Sequence, residues 1–381
     1  MQRKISPFSD YAIRGGLEGF VNKLKSGLEI TIAFIGGSVT VGAGASGEDH
    51  TSYRSLICEY LKRKFPQIAF NFINAGIGGT DSTFGAYRLK SQIFQELEID
   101  LLFVEFAVND SGNRTESIRA MEGIVRHSRR LHPMIDIIYL YTPIKTAIEL
   151  FKVNGITQEN IYNHEEVAVY YQLPSVNIAK QIYRLIEADE LVWHDLSSDD
   201  VHPNDVGHVL YAHYVEAFLE KALSTRSSVI PHRPALPSPM DIHCYEYADL
   251  VSPRAVIHAE GWEIVEGWMV EATCNWTPPA DVYVGNEAGA SFHFEFHGTA
   301  FGLSMLAGMD TGSIDFSLDG GEYQSIQLFD EYCLAFYRPK IVLLADSLSR
   351  NHHTVDIRIS REKDEASTGY AVRILNLLIN Q

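Results

Sequence analysis

The sequence has few cysteines and no long apolar run. Its four cysteines, Cys58, Cys244, Cys274 and Cys333, form neither a CxxC pair nor a zinc-ligand spacing. So few cysteines in 381 residues argue against a disulfide framework. No apolar stretch reaches the roughly 18 residues that a membrane-spanning helix needs.

The first residues, MQRKISPFSDYAIRGG, lack the apolar core of a secretory signal. We therefore expect a cytoplasmic protein, although secretion stays open because a removed signal would leave no trace.

Positive charge is also scarce, with 31 Lys and Arg against 49 Asp and Glu, a net charge of −18. An acidic surface repels phosphate backbones and anionic headgroups. We therefore expect no nucleic-acid or membrane partner, and a neutral small-molecule or oligosaccharide ester suits this surface better. Solubility alone is the commoner explanation of such acidity. The oligomeric state stays open.

Short apolar, β-rich runs alternate with helical patterns in the first 223 residues. This alternation is typical of βαβ units, which build a parallel sheet covered by helices on both faces. The predicted fold is a three-layer α/β/α flavodoxin-like sandwich. The predicted strands lie at 30–36, 68–76, 99–109, 135–143 and 191–193, and the clearest helices at 115–131, 175–186 and 205–223.

The pattern changes after a proline-rich stretch at 227–240, SSVIPHRPALPSPM, which we interpret as a semi-rigid linker. Beyond it, apolar residues alternate with period two, as at Phe292, Phe294 and Phe296. Turn signals occur at 319–321 and at Asn351, just before two adjacent histidines, 352 and 353. We predict a catalytic domain at 1–226 and an all-β sandwich (jelly-roll) domain at 241–381.

Two glycine-rich segments follow the first two predicted strands. Gly36-Gly37-Ser38 lets the chain turn sharply and exposes Ser38, a hydroxyl that needs a base to act as a nucleophile. Asn74-Ala75-Gly76-Ile77-Gly78-Gly79 exposes backbone N–H groups, and that of Gly79 is placed to face a developing negative charge. Taken alone, the first segment is more often a helix N-cap serine in a glycine turn, and the second is more often a plain loop.

Two further segments complete the set, and in open α/β sheets such strand ends gather at one edge. Asn109, in Val108-Asn109-Asp110, carries an amide that can donate to an oxyanion. In Asp199-Asp200-Val201-His202-Pro203 the carboxylate three residues before His202 can hold the imidazole, leaving the other ring nitrogen free to accept a proton. Asp200 is a second candidate to orient the ring, at a less suitable spacing.

The blocks IGGS, NAGIGG, AVND and DDVHP resemble those of the SGNH hydrolase (GDSL-type esterase) superfamily in chain order and position. The resemblance covers residues 28–222. It implies a serine esterase with Ser38 as nucleophile, His202 as base and Asp199 as orienting acid, and an oxyanion hole made by Ser38, Gly79 and Asn109. It implies an acyl-enzyme and no metal or organic cofactor.

Two residues depart from the family pattern. Gly37 stands where the family usually has Asp, which removes a supporting carboxylate. Ala107 stands where the family's third block usually has Gly, which adds a methyl group near the pocket.

Other motifs are weaker. The GxGxxG at 42–47 begins six residues after its strand and opens no apolar helix, so we predict a flexible lip beside Ser38 rather than a dinucleotide site. GxSxG and HExxH are both absent.

The C-terminal part resembles the jelly-roll modules of some carbohydrate acetyl esterases, in the segments SIDFSLDGGEYQSIQL and NHHTVDIRIS, although there the module precedes the catalytic domain. Trp262, Trp268 and Trp276 are candidates for stacking on sugars, or for the sandwich core. We therefore expect an esterase for short acyl groups, acetyl above all, on carbohydrates. A non-catalytic carbohydrate-binding protein and a lipase or thioesterase for longer chains remain the alternatives.

Overall fold

The structure, a computed structural model, describes residues 10–27, 29–95, 98–224, 235–270, 273, 276–279 and 281–381. These residues form two compact units. The first comprises the described residues up to Gly85 together with Gln92–Cys244, and the second comprises Ala86–Ser91 together with Tyr245–Gln381. The predicted boundary near residue 241 lies four residues before this division, and the domain limits stay a prediction.

The first unit is built on a six-stranded sheet. Its strands are β1 (Tyr11–Ala12), β2 (Ile30–Gly36), β3 (Phe70–Gly76), β4 (Leu101–Glu105), β5 (Asp136–Tyr141) and β6 (Ser175–Asn177). Their order in the sheet is β1-β6-β5-β4-β2-β3, and all pairs are parallel except β1 with β6. Every residue of β2, β4 and β5 is buried, as expected for strands covered on both faces.

Ten α-helices occur in the described part of this chain, and their order confirms the predicted α/β/α fold class. They are α1 (Glu18–Ser26), α2 (Ser38–Val41), α3 (Tyr53–Lys64), α4 (Ser82–Ile93), α5 (Arg114–Leu131), α6 (Ile148–Asn154), α7 (Glu159–Tyr170), α8 (Ile178–Glu187), α9 (Trp193–Leu196) and α10 (Asp205–Ser224). Within the described ranges, no helix combines the length and apolarity needed to cross a membrane.

The last strand of this sheet lies elsewhere than predicted. Residues 191–193 do not form a strand, and Trp193 begins α9. Instead, Ser175–Asn177, predicted as the first turn of a helix, form β6 and pair with Tyr139–Tyr141 of β5. The Asn177 side chain accepts a hydrogen bond from the Lys180 N–H, so the helix begins only after it.

The second unit consists of two antiparallel sheets, which confirms the predicted all-β domain. The strands of this unit are β7 (Ala248–Val251), β8 (His258–Glu260), β9 (Trp262–Val265), β10 (Val282–Gly285), β11 (Ser291–Gly298), β12 (Ala300–Ala307), β13 (Ser313–Leu318), β14 (Gln324–Gln327), β15 (Arg338–Ala345), β16 (Asn351–Ile359) and β17 (Val372–Asn380). One sheet has the order β15-β12-β17-β10-β9 with β7 paired to β17, and the other has the order β14-β13-β16-β11-β8. The jelly-roll description stays a prediction.

The core of the second unit contains the residues that alternate in the sequence. Phe292 and Phe296 of β11, Phe316 of β13 and Val355 of β16 are buried in one cluster. The predicted turn at 319–321 joins β13 to β14, and Asp319 has a positive φ of 51°.

The second predicted turn is wrong. Asn351, His352 and His353 are the first residues of β16, and they pair with Gly298, His297 and Phe296 of β11. The His353 ring is buried, and its two nitrogens lie 2.8 Å from the Asp319 carboxylate and 2.8 Å from the Ser349 carbonyl.

The proline-rich stretch is described only from residue 235 onward, and positions 227–234 of the predicted linker lie outside the described residues. The described part packs on α5. Arg126 donates to the Pro237 carbonyl at 2.7 Å, and Glu122 accepts the N–H of Met240 at 2.6 Å. These residues therefore belong to the first compact unit.

Candidate active site

Ser38 lies at the first turn that follows β2. The strand ends at Gly36, Gly37 caps the four-residue helix α2, and Ser38 is the first residue of that helix. The turn has no room for a side chain at position 36, where a Cβ would lie 2.2 Å from the Thr40 hydroxyl and 2.5 Å from the Glu105 carbonyl. Small residues therefore place Ser38 at the carboxyl edge of the sheet.

The structure brings His202 to Ser38 from 164 positions away in the sequence. His202 Nε2 lies 2.9 Å from Ser38 Oγ. On the other side of the ring, His202 Nδ1 lies 2.8 Å from the Asp199 carboxylate. The three side chains thus form one hydrogen-bonded chain from carboxylate to imidazole to hydroxyl.

The Asp199 carboxylate is held in its ionised form. Its Oδ1 accepts the backbone N–H groups of Val201 and His202, each at 2.7 Å. Burial alone raises the pKa of Asp199, but these two N–H groups and the His202 ring outweigh it and lower the pKa to about 2. The alternative carboxylate, Asp200, bonds Lys145 Nζ at 3.0 Å instead.

Two residues that the sequence did not reveal hold the loop that carries Asp199 through its backbone. Trp193 Nε1 donates to the Asp199 carbonyl at 2.7 Å, and Ser197 Oγ donates to the same oxygen at 2.9 Å. In the sequence, nothing marks Trp193 as a partner of Asp199, which lies six residues later.

Asn109 lies in the turn after β4, where its N–H bonds the Phe106 carbonyl at 3.0 Å. Its side-chain oxygen is buried without a hydrogen-bond partner among the described residues. A Cβ on Gly37 would lie 2.1 Å from this oxygen. Gly37 therefore makes room for the Asn109 amide beside Ser38, which gives a physical reason for glycine at the position where the family usually has Asp.

Gly79 lies in the loop that follows β3. It has a φ of +71°, a conformation that glycine adopts without strain, and space for a Cβ is open around it. The loop is joined to the end of β2, since the Ile77 N–H donates to the Gly36 carbonyl at 3.1 Å. Gly79 and Ser38 thus follow neighbouring parallel strands.

A buried carboxyl group lies under the Ser38 turn. Glu105 is 1% exposed, and it accepts hydrogen bonds from Thr142 at 2.7 Å and from Thr40 at 3.3 Å. Burial raises the pKa of Glu105 to about 7, and the two hydroxyls lower it only in part. The sequence signal for this buried carboxyl group is a single charge within the apolar run LLFVEFAVN.

The glycine-rich segment 42–47 packs on the His202 turn. Gly44 has a φ of +89°, and a Cβ there would lie 2.4 Å from the Pro203 carbonyl. Asp205 accepts the Ser46 N–H at 2.8 Å, and His208 Nε2 lies 3.2 Å from the Ala43 carbonyl. Burial lowers the pKa of His208 to about 4, so this ring stays neutral. The segment predicted as a flexible lip is held by these bonds.

Of the three tryptophans of the second unit, Trp262 packs between Tyr283 and Phe292, with ring centroids 5.0 and 5.2 Å away. It therefore belongs to the sandwich core. Trp268 and Trp276 are partly buried and pack against a smaller cluster that includes Val282 and Leu306. Within the described ranges, no group of three or more His, Cys, Asp or Glu has a metal-binding arrangement.

Introducing a side chain at position 37 tests the position of the Asn109 amide. Gly37 has a φ of −87°, so Gly37→Ala costs little in backbone strain, and its methyl group displaces the Asn109 side chain. We expect kcat/KM for an ester to fall about 100-fold, the usual cost of a misplaced oxyanion donor.

Gly47→Ala serves as the matched control for this substitution. A Cβ at Gly47 meets only the His50 side chain, at 3.7 Å, so activity is expected to stay close to wild type. Equal activity of Gly37→Ala and wild type would show that the amide does not need this space.

A parallel α/β sheet with a Ser–His–Asp chain at its carboxyl edge is the arrangement of an SGNH-type hydrolase domain. Residues 34–210 match the model of the GDSL-like lipase/acylhydrolase family. The first domain is therefore a GDSL-like lipase/acylhydrolase domain, and the prediction of a carboxylic ester hydrolase is confirmed. A search of the curated proteins found no match.

Among solved structures, a two-domain esterase (CEX) active on acetylated mannans, co-crystallised with mannopentaose, is similar over both domains. It is 23% identical, with a TM-score of 0.79 over 97% of this chain and 96% of that chain. A second structure of an esterase with the same description has a TM-score of 0.78, 23% identity and 97% coverage of each chain. At this identity the likeness shows that the two-domain fold is shared.

Proposed function

We propose that this protein hydrolyses short acyl esters, acetyl above all, on carbohydrates, through an acyl-enzyme on Ser38. The observation that carries the proposal is the unbroken hydrogen-bond chain from Asp199 through His202 to Ser38 Oγ. A serine hydroxyl becomes a nucleophile when a neighbouring base can take its proton, and the carboxylate fixes the base in the required tautomer.

In the first half-reaction, Ser38 Oγ attacks the ester carbonyl carbon while His202 Nε2 takes the hydroxyl proton. Negative charge develops on the carbonyl oxygen, where the N–H groups of Ser38 and Gly79 and the Asn109 amide act as donors. Collapse of this intermediate breaks the bond to the sugar oxygen, which leaves with the proton from His202 as a free hydroxyl.

In the second half-reaction, water attacks the acyl group on Ser38, and His202 accepts the water proton. The acyl–Ser38 bond breaks, His202 returns the proton to Ser38 Oγ, and the carboxylic acid leaves. Asp199 stays ionised throughout, because its low pKa keeps the charge that stabilises the protonated ring.

Two observations support a carbohydrate ester as substrate. The similar esterase CEX acts on acetylated mannans, and its two-domain fold covers 97% of this chain. The net charge of −18 favours a neutral substrate over an anionic one.

The test is a series of p-nitrophenyl esters of increasing acyl length, together with acetylated manno-oligosaccharides, for wild type and Ser38→Ala. We expect the highest kcat/KM for acetyl, release of acetate from the oligosaccharide, and a loss of at least about 10⁴-fold in the variant. A rate that rises with chain length would favour a lipase or thioesterase. Binding of mannopentaose without hydrolysis of any ester would favour a carbohydrate-binding protein.

A further inference from the structure

The carboxylate next to Asn109 joins three separate segments of the first domain. The Asp110 side chain is only 4% exposed, and it accepts the Ser82 N–H at 2.8 Å and the Ser82 hydroxyl at 2.7 Å. Ser82 is the first residue of α4, which continues from the Gly79 loop. The same carboxylate lies 2.7 Å from Nε2 of His164, on α7. Asp110 thus connects the Gly79 loop, the Asn109 turn and α7.

His164 holds this carboxylate in one defined way. Its side chain is fully buried, and its Nδ1 has no hydrogen-bond partner among the described residues. A buried N–H without an acceptor is costly, so the proton lies on Nε2 and is donated to Asp110. Although burial raises the pKa of Asp110, the His164 ring and the Ser82 donors outweigh it and lower the pKa.

A second residue of α7 holds the backbone of the same turn. Asn160 Nδ2 donates to the Ala107 carbonyl at 3.0 Å and to the Asp110 carbonyl at 2.7 Å. Asn109 lies between these two carbonyls in the sequence. The turn is therefore fixed by α7 through both its backbone and its carboxylate, and a shift of α7 moves the Asn109 amide.

We propose that His164 is a positioning residue for ester hydrolysis, which acts through Asp110 to hold Asn109 in the oxyanion hole. The inference rests on the proposed function and extends it to a residue that does not touch the substrate. The donors of an oxyanion hole must be fixed before negative charge develops on the carbonyl oxygen. They stabilise the transition state most strongly when they need no rearrangement. An amide displaced by about 1 Å loses much of this transition-state stabilisation.

The experiment replaces His164 by two amide side chains that differ in length by one methylene group. In His164→Gln the amide nitrogen extends to the place of Nε2 and can still donate to Asp110, whereas in His164→Asn it stops at the place of Nδ1. We expect His164→Asn to lower kcat for p-nitrophenyl acetate about 10- to 100-fold with KM nearly unchanged, and His164→Gln to restore most of the loss.

A double-mutant cycle separates positioning from general stability. If His164 acts through Asn109, then adding His164→Asn to Asn109→Ala lowers kcat little further than Asn109→Ala alone. His353→Asn is the matched control, since His353 is also buried against a carboxylate, Asp319, in the second unit. We expect it to lower the melting temperature and leave kcat unchanged.

Three outcomes would overturn the inference. They are a kcat of His164→Asn equal to wild type, an equally low kcat for His164→Gln, and losses that multiply fully in the double variant. Failure of the proposed function is a different result, because it appears as an inactive wild type or an active Ser38→Ala. If His164→Asn does not fold, the cycle is run with His164→Gln and Asn109→Ala, and a loss of kcat in His164→Gln that multiplies fully with that of Asn109→Ala would overturn the inference.

Discussion

Ser38→Ala is expected to lower kcat/KM for p-nitrophenyl acetate by roughly 10⁴- to 10⁶-fold, the usual cost of removing a serine nucleophile. The substitution removes one oxygen atom from the first residue of α2 and leaves the cap at Gly37 unchanged. We therefore expect the fold and the melting temperature to stay close to wild type. The loss in kcat/KM then reflects the missing nucleophile and not a damaged fold. The measurement is steady-state hydrolysis with purified wild type and variant prepared in parallel.

A nearby serine provides the control for this experiment. Ser46 belongs to the segment 42–47, and its backbone N–H, which a substitution to alanine keeps, donates to Asp205. Ser46→Ala is expected to hydrolyse the ester at nearly the wild-type rate. An active Ser38→Ala would remove the proposed mechanism, whatever the control shows.

His202→Ala is expected to cause a loss of similar size, at least about 10⁴-fold in kcat/KM. The variant leaves Ser38 Oγ without the base that lies 2.9 Å away, so the hydroxyl keeps its proton during attack. The space vacated by the ring is half-exposed, which allows a small base from solvent to enter. Added imidazole is therefore expected to restore part of the activity.

His208→Ala distinguishes the base from a merely nearby ring. His208 also lies at the carboxyl edge of the sheet, but its nitrogens bond the Tyr53 N–H and the Ala43 carbonyl, and none contacts Ser38. We expect this variant to lose stability and to gain nothing from imidazole. Full activity of His202→Ala without imidazole would contradict the assigned role.

The parallel sheet and the positions of the candidate residues could be predicted from the sequence because each relied on a local pattern. Runs such as ITIAFIG are apolar along their whole length, which is typical of strands buried on both faces. Parallel strands then bring their carboxyl ends to one edge, so Ser38 and Asn109 follow neighbouring strands, β2 and β4. The prediction for His202 relied on its position just before the start of a helix, and α10 indeed begins at Asp205.

The parts that the sequence did not reveal depend on contacts between distant residues. Ser175–Asn177 is too short for a period to show, and its strand conformation comes from pairing with β5. His164 lies between the predicted elements, and only the fold places it against Asp110. In the sequence alone, Gly37 is a departure from the family motif. The structure explains the glycine, because the Asn109 amide occupies the space that a side chain at position 37 would need.

The most direct test of the central claim is to look for the acyl-enzyme itself. Wild type is mixed with p-nitrophenyl acetate, quenched in acid within the first turnover, digested and mapped by mass spectrometry. The account predicts an added acetyl group on Ser38, absent from Ser38→Ala, together with a burst of p-nitrophenol. Rapid hydrolysis with no label on Ser38, or with a label on another residue, would contradict it.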